Sequence, residues 1–216
     1  MKITLVEPQK KTLHQRFGQA PRRFNIFLDG QFAFGADEDL VVERRLIVGK
    51  EIQKEDLGKF LEEAEIGKLM ERMYKWFGVR MRSEWEVRQK FKILGKELVS
   101  DLIIEALINK LKQKGMLNDL EFAKAWVESR SKKKGKNALK AELFKKGINK
   151  EIIEEVLVSS NENENQTAQK LLEKKMRLWK NLPEMEFKQK AFRFLVSRGF
   201  EYDLSKEIVE NALKEV

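Results

Sequence analysis

The sequence predicts a mainly α-helical protein: three tandem three-helix repeats preceded by a small N-terminal antiparallel β segment. Three observations lead there. Asp29-Gly30 sits between two alternating, aromatic-rich runs (RFNIFLDGQFAFG). Gly95, Gly147 and Gly199 recur at intervals of 52 residues, each just past an apolar helical stripe. Beyond Glu51 strand signals nearly vanish, and Pro183 is the one proline left.

The β segment comes first. A type I′ turn needs positive φ at both central positions, which Asp-Gly supplies, so residues 23–35 read as a hairpin. Phe24, Ile26 and Leu28 then share one face, and KITLV (2–6) offers a third strand, about the minimum for a stable sheet. QKKTLHQRFGQAP between them reads as a loop or distorted strand extension, with His14 a solvated loop residue. Asp37 is placed to cap a helix carrying Leu40, Val41 and Leu46, ended by the Val48-Gly49-Lys50 turn.

The helices follow a repeated plan. Counting back four and eight residues from each closing glycine gives Phe91 and Val87, Leu143 and Leu139, Leu195 and Ala191. That is one buried stripe per helix, with glycine at the left-handed position that ends it. A following helix shares a pattern in each repeat (IIEALI, IIEEVL, IVENAL), and a preceding helix carries Trp76, Trp126 or Trp179. Ser83-Glu-Trp-Glu86 and Asn118-Asp-Leu-Glu121 match capping boxes or their Asn variant. Units of about 50 residues have small cores, so neighbouring units are expected to pack on one another. The expected domains are residues 1–50 (β module with a short helix), 51–116 (linking helix and first repeat), 117–160 and 161–216. The polar SSNENENQT stretch (159–167) reads either as a hinge or as the solvated start of the next helix.

Composition excludes several chemistries. With no cysteine, disulfides, thiolate metal sites, iron–sulfur ligation and cysteine nucleophiles are ruled out. One histidine, His14, leaves no histidine zinc site, and no phosphate-binding Gly-rich loop occurs. No catalytic constellation, cofactor site or metal site is found. The N-terminus has no apolar core of signal-peptide length and no stretch is long and apolar enough to span a bilayer. A non-enzymatic, soluble, cytoplasmic protein is expected, acting as a monomer without membrane contact.

Lys and Arg outnumber Asp and Glu by 44 to 35, a net charge of +9. The excess is local: residues 72–96 carry eight basic and two acidic residues, and residues 130–146 eight basic against Glu142 alone. Residues 161–216 are nearly balanced. Such clusters either bind a polyanion or simply solvate a surface.

Particular residues also resemble a known family. RSEWEVRQKFKILG and GMLNDLEFAKAWVESRSKKKGKNALKAELFKKGI are similar to the signature of the RecX family, regulators of the RecA recombinase. In that family a helix ending in Arg-Ser, here Arg82-Ser83, leads to a basic helix closed by glycine. The turn Gly115-Met116-Leu117-Asn118-Asp119 follows, with Met116 where Tyr or Leu is common. Phe122-Ala123 through Ser129-Arg130, Gly135 to Ile148, and Phe194-Leu195-Val196-Ser197-Arg198-Gly199-Phe200 complete the match, which runs from about residue 66 to 216. The resemblance implies an elongated, curved array of repeats lying in the groove of a RecA–single-stranded-DNA filament. Bound there, it would block filament extension and dampen strand exchange and ATP hydrolysis.

Within that reading the expected RecA- and DNA-binding residues are Arg130, Lys132, Lys133, Lys134, Lys136 and Lys140 in the second repeat. Arg82, Arg88 and Lys92 are their equivalents in the first, and Arg198 lies in the third. Lysines around a glycine suit a turn that approaches phosphates closely. Neutralising about four to six phosphates of a single strand gives a log K–log salt slope of about −0.7 per phosphate. The competing account is a solvated face, with Arg88 paired to Glu84 or Glu86 along its own helix. Trp76, Trp126, Trp179, Phe91 and Phe122 read as core, Trp85 as the one better placed for base stacking. Asp119 and Glu121 read as capping residues. Two other functions remain open: a stand-alone DNA-binding helical protein, which predicts strong, salt-sensitive duplex binding without any recombinase, and a protein-only adaptor whose lysines keep it soluble.

Overall fold

A computed structural model of the chain describes residues 1–9, 22–93, 99–159, 164–179 and 181–214, apart from the side chains of residues 92, 93, 159 and 214. His14 with nearly all of its loop, the Gly95 helix end, and residues 160–163 of the polar connection lie outside the described residues. Among the described residues are three strands and ten helices.

Strands β1 (Ile3–Pro8), β2 (Arg23–Leu28) and β3 (Gln31–Asp37) form an antiparallel sheet in the order β1-β2-β3. The hairpin turns as the sequence predicts: Asp29 has φ 49 and Gly30 φ 86, with Leu28 facing Gln31. Ile26 and Leu28 are buried with Phe34, Ala36 and Ile3, so alternation sorts one sheet face inward. Asp37 caps α1 (Glu38–Glu43), its Oδ1 accepting the Leu40 N–H at 2.8 Å. The helix stops earlier than expected. Arg45 takes the left-handed position (φ 47), and Leu46 N–H bonds back to Val41 C=O. Leu46 is still buried in the sheet's core, but from beyond the helix.

The chain divides into two compact units. The first holds the sheet, α1, α2 (Lys54–Phe77), α4 (Asp101–Gln113) and all but the first turn of α3 (Glu84–Ile93). Helix α2 serves two cores: Phe60 and Ala64 pack beneath the sheet, while Leu69, Met70 and Met73 pack with Val87, Phe91, Leu107, Ile108 and Leu111. Lys114, at the end of α4, reaches Asp39 of α1 at 2.7 Å. The Asp39 hydrogen bond, against some desolvation, raises the Lys114 ammonium above its ordinary value.

The second unit begins with Ser83–Glu86 and resumes at Asn118. It contains α5 (Asp119–Arg130), α6 (Lys136–Lys145), α7 (Lys150–Ser159), α8 (Glu164–Trp179), α9 (Glu184–Ser197) and α10 (Tyr202–Lys214). The predicted stripes are buried: Leu139 and Leu143 with Phe122, Val127 and Ile153; Ala191 and Leu195 with Leu172, Phe200 and Ile208. Helix α6 closes at Gly147, where Ile148 N–H bonds to Leu143 C=O at 3.2 Å. Helix α9 closes the same way through Phe200 and Leu195. Because Leu143 is fully buried, Leu143→Ala is expected to cost about 2–5 kcal/mol, read as a lower denaturation midpoint. A loss below about 1 kcal/mol would contradict its place in the core.

A recurring junction links successive repeats in this unit. The Ser83 hydroxyl, beside the start of α3, donates to Lys146 C=O at 2.6 Å, and Glu84 N–H donates to Asp119 Oδ1 at 2.8 Å. At the start of α6, Gly135 N–H donates to Arg198 C=O at 2.9 Å and Lys136 N–H to Glu164 Oε1 at 2.8 Å. In both, a helix entry rests on the glycine-closed end of the middle helix one repeat later. A carboxylate at the first residue of that repeat's first helix satisfies an orphan N–H. Asp119 is thus a cap, as its sequence position predicts, but for α3. Its own helix is capped by Asn118, whose side chain accepts from Leu120 and Glu121 N–H. The Ser83–Glu86 box forms reciprocally, Glu86 N–H to Ser83 Oγ at 3.2 Å and Ser83 N–H to Glu86 Oε2 at 3.5 Å.

Candidate nucleic-acid interface

The turn joining α5 to α6 gathers the predicted cations of the second repeat. It is closed by Ser131 N–H to Val127 C=O at 2.7 Å and by Lys133 and Lys134 N–H to Arg130 C=O at 2.8 and 3.1 Å. Gly135 then passes so near the end of α9 that a Cβ there would lie 2.5 Å from Gly199 C, which requires glycine.

A carboxylate the sequence places eight residues downstream organises this turn. Glu142, on the next helix turns of α6, accepts from Trp126 Nε1 at 2.9 Å and from Lys134 Nζ, and lies 3.3 Å from Arg130 Nε. The Arg130 guanidinium stacks 3.6 Å from the centroid of Trp126, which also stacks on Phe122 at 5.5 Å. Burial alone would raise the Glu142 carboxyl. Hydrogen bonds from Lys134 and Trp126, with the charges of Lys134 and Arg130, outweigh it and hold the carboxyl below the usual carboxylate range. A carboxyl depressed by folding contributes stability above its unfolded pKa, and that contribution is lost as pH falls through the folded value.

This changes the weight of the expected residues. Arg130 and Lys134 are partly neutralised by Glu142, whereas Lys132 and Lys133 are exposed and have no carboxylate within reach among the described residues. Arg198 joins them from α9, its Nη1 donating to Lys133 C=O at 3.4 Å while its guanidinium covers Phe194 at 5.2 Å. Lys136 bends to Glu164 at 3.6 Å. Lys140 lies further along α6, in a groove with Phe144 and Lys150. Lys146, the last cation of the basic run, is held by Glu86 at 2.7 Å and covers the Trp126 ring at 5.2 Å. Lys132, Lys133 and Arg198 are thus the cations of this turn without a carboxylate partner among the described residues, while Arg130 and Lys134 share Glu142.

Arg82-Ser83 does not end a helix; α2 stops at Phe77, and this pair leads into α3. Arg82 is half-buried with its guanidinium 4.4 Å from the Trp76 centroid, and Lys90 covers the same ring at 4.6 Å. Arg88 reaches across to Glu105 of α4 through both terminal nitrogens. The Lys92 side chain lies outside the described residues. Trp76, Trp126 and Trp179 are half-buried rather than sealed in the core, each with a cation over its ring, Lys190 at 5.8 Å in the last case. Trp85 keeps 42% of its surface exposed, its Cβ backed onto Gly147. Among the described residues no cluster of His, Cys, Asp and Glu could hold a metal ion, and no helix is long and apolar enough to cross a membrane.

Glu142→Gln would remove the one carboxylate from the turn. The expected result is tighter binding to a single-stranded oligonucleotide, by about two- to threefold at low salt, with a steeper salt slope. The variant should be less stable than the parent near neutral pH, and the difference should shrink as pH falls through the range in which Glu142 of the parent is protonated, which makes the acid limb of the variant shallower. Unchanged affinity would mean that Arg130 and Lys134 face no phosphate.

Comparison with known proteins follows the same outline. Family profiles match at residues 1–53 (Regulatory protein RecX N-terminal domain), 118–157 (RecX, second three-helix domain) and 162–209 (RecX, third three-helix domain). Regulatory protein RecX of Clostridium botulinum (strain Eklund 17B / Type B) is 31% identical over 98% of this chain and 96% of its own length. That of Bacillus subtilis (strain 168) is 36% identical over 94% of this chain and 74% of its own. A crystal structure of a regulatory protein RecX superposes with a TM-score of 0.75 at 26% identity, covering 97% of this chain and 98% of that one. With 31–36% identity to regulatory proteins RecX over nearly its whole length and three RecX domain profiles matched, this chain belongs to the RecX family of regulatory proteins.

Proposed function

We propose that this protein binds RecA–single-stranded-DNA filaments and restrains their extension, strand exchange and ATP hydrolysis by occupancy, with no chemistry of its own. The observation that carries the reading is the α5–α6 turn: two unneutralised lysines on a hydrogen-bonded turn, flanked by Arg198, in a chain of the RecX family. Phosphate contacts of this kind position a protein without reading sequence, so DNA affinity should be non-specific and fall with salt. Arg82 and Arg88 would supply the contact of the first repeat, through charges already shared with Trp76 and Glu105. The protein would act as a cytoplasmic monomer in homologous recombination, DNA repair and the SOS response. Its functional modules would be residues 1–50, 51–116, 117–160 and 161–216.

The test is RecA ATP hydrolysis on single-stranded DNA, titrated with this protein at two salt concentrations. Inhibition far below one molecule per RecA monomer supports capping of filament ends, and inhibition near equal stoichiometry supports coating of the groove. Intact RecA activity together with binding to bare DNA would overturn the proposal in favour of a stand-alone DNA-binding protein.

A further inference from the structure

The Arg130 guanidinium is held from three directions. One of its faces lies on Trp126, 3.6 Å from the ring centroid. Its Nε stands 3.3 Å from Glu142 Oε2, and its Nη1 donates to Ser129 Oγ at 3.1 Å. Glu142 in turn accepts from Trp126 Nε1 and Lys134 Nζ, so its oxygens are engaged by the turn itself. An opposite charge this close cancels much of the guanidinium's attraction for a phosphate further out. The side chain is still 37% exposed, and with one face on the indole and two edges bonded, what it offers outward is its second flat face.

That face suits a nucleobase. A guanidinium is planar and weakly hydrated, and it stacks on π-systems in a way that a lysine ammonium does not. Proteins that bind single strands use aromatic rings and guanidinium planes as platforms for splayed bases. Here packing and hydrogen bonds fix the plane beforehand, so little freedom is lost when a base settles on it. Lys132 and Lys133, exposed and without a carboxylate partner among the described residues, follow on the same turn and are placed for the phosphates beside that base. Glu128 is two residues before Arg130 and so lies on another face of α5. The pairing of an arginine with a ring recurs, as Arg198 over Phe194 at 5.2 Å and Arg82 over Trp76 at 4.4 Å. Arg198 also reaches Lys133 C=O, which sets a second ring-backed guanidinium beside the same lysine. A duplex has its bases paired and stacked inside, with no free face to lay on such a plane.

We infer that Arg130, backed by Trp126, is a stacking platform for an unpaired nucleobase and makes the α5–α6 turn prefer single strands to duplexes. The inference rests on the phosphate-binding part of the proposed function and divides its labour. Lys132 and Lys133 supply attraction to any strand, and Arg130 discriminates by strand state. Base identity should matter little, because every base has a π-face.

Arg130→Lys tests this, since lysine keeps the charge beside Glu142 and removes the plane. Arg130 is partly exposed, so the variant is expected to fold as the parent does. Dissociation constants of the two full-length proteins are measured by fluorescence anisotropy for oligo(dT), for an abasic strand of equal length, and for the oligo(dA)·oligo(dT) duplex. The parent should bind oligo(dT) about fivefold or more tightly than the abasic strand, the low end for one stacked base. In the variant that ratio should fall to about twofold or less, and the preference for oligo(dT) over the duplex should shrink with it. A variant that keeps the parent's ratios would overturn the inference and leave Arg130 a packing residue of α5. A parent that binds the abasic strand as tightly as oligo(dT) would overturn it too, while leaving the phosphate contacts of Lys132 and Lys133 intact. A parent that binds none of the three probes would overturn the nucleic-acid reading of the turn itself, and the inference with it.

Discussion

Reversing Lys132 and Lys133 together to glutamate is expected to remove most of the affinity for single-stranded DNA while leaving thermal unfolding unchanged. Both side chains are exposed and neither has a carboxylate partner among the described residues, so reversal breaks no packing. Losing two phosphate contacts should flatten the log K–log salt slope by about 1.4. Two new repulsive charges add to this, for a total loss on the order of 10- to 100-fold at low salt. Inhibition of RecA should weaken in parallel. Lys134 is left out of the reversal deliberately. Its amine is bound to Glu142, and a glutamate there would set two carboxylates against each other and disturb the turn itself. An unaltered salt slope would move the phosphate site away from this turn, most directly to Arg82 and Arg88.

A large effect on stability is expected at Gly199. Its φ is +85, and a Cβ there would lie 2.3 Å from both the Cβ and the backbone nitrogen of Ala138. Gly199→Ala therefore meets two costs. A left-handed L-residue costs roughly 1–2 kcal/mol, and forcing α6 and α9 apart adds about 1–3 kcal/mol of overpacking. Gly115 provides the control, because its φ is +66 and nothing lies within 4 Å of a Cβ there. Gly115→Ala should show the conformational cost alone. Denaturant midpoints of the two variants, compared with the parent, give the difference directly. If both lose the same amount, the close approach of Gly199 to the start of α6 carries no energy. A loss at Gly199 should also lower DNA affinity, since Arg198 and the turn it touches are positioned by that junction.

Local patterns in the chain were sufficient for the hairpin, the apolar stripes of the second and third repeats and the helix ends at Gly147 and Gly199. Asp29-Gly30 adopts its turn because positive φ is an intrinsic preference of those residues, and Leu139, Leu143, Ala191 and Leu195 are buried because spacing alone puts them on one face. The end of α1 was less legible. Arg45 took the left-handed position in place of the downstream Gly49 turn, since a non-glycine residue can hold that position when its neighbour Leu46 is drawn into a core. The basic run was legible as a cluster of charge but not as a site. Counting residues between 130 and 146 shows eight cations and one acid; it does not show that the acid, Glu142, sits among Arg130, Lys134 and Trp126.

The same division applies to the junctions between repeats. Asp119 and Glu164 each stand at the first residue of a helix, and sequence reasoning reads Asp119 as a cap there. Each instead satisfies an N–H of the preceding repeat's middle helix. Helical periodicity and turn propensity are properties of neighbours along the chain, and they determined the α-helical repeats and the N-terminal sheet. Which lysines remain charged toward solvent, which carboxylate caps which helix, and where an apolar groove stays open depend on residues brought together from different helices. Those contacts are short-ranged in space and distant in sequence, so the tertiary structure alone decided them.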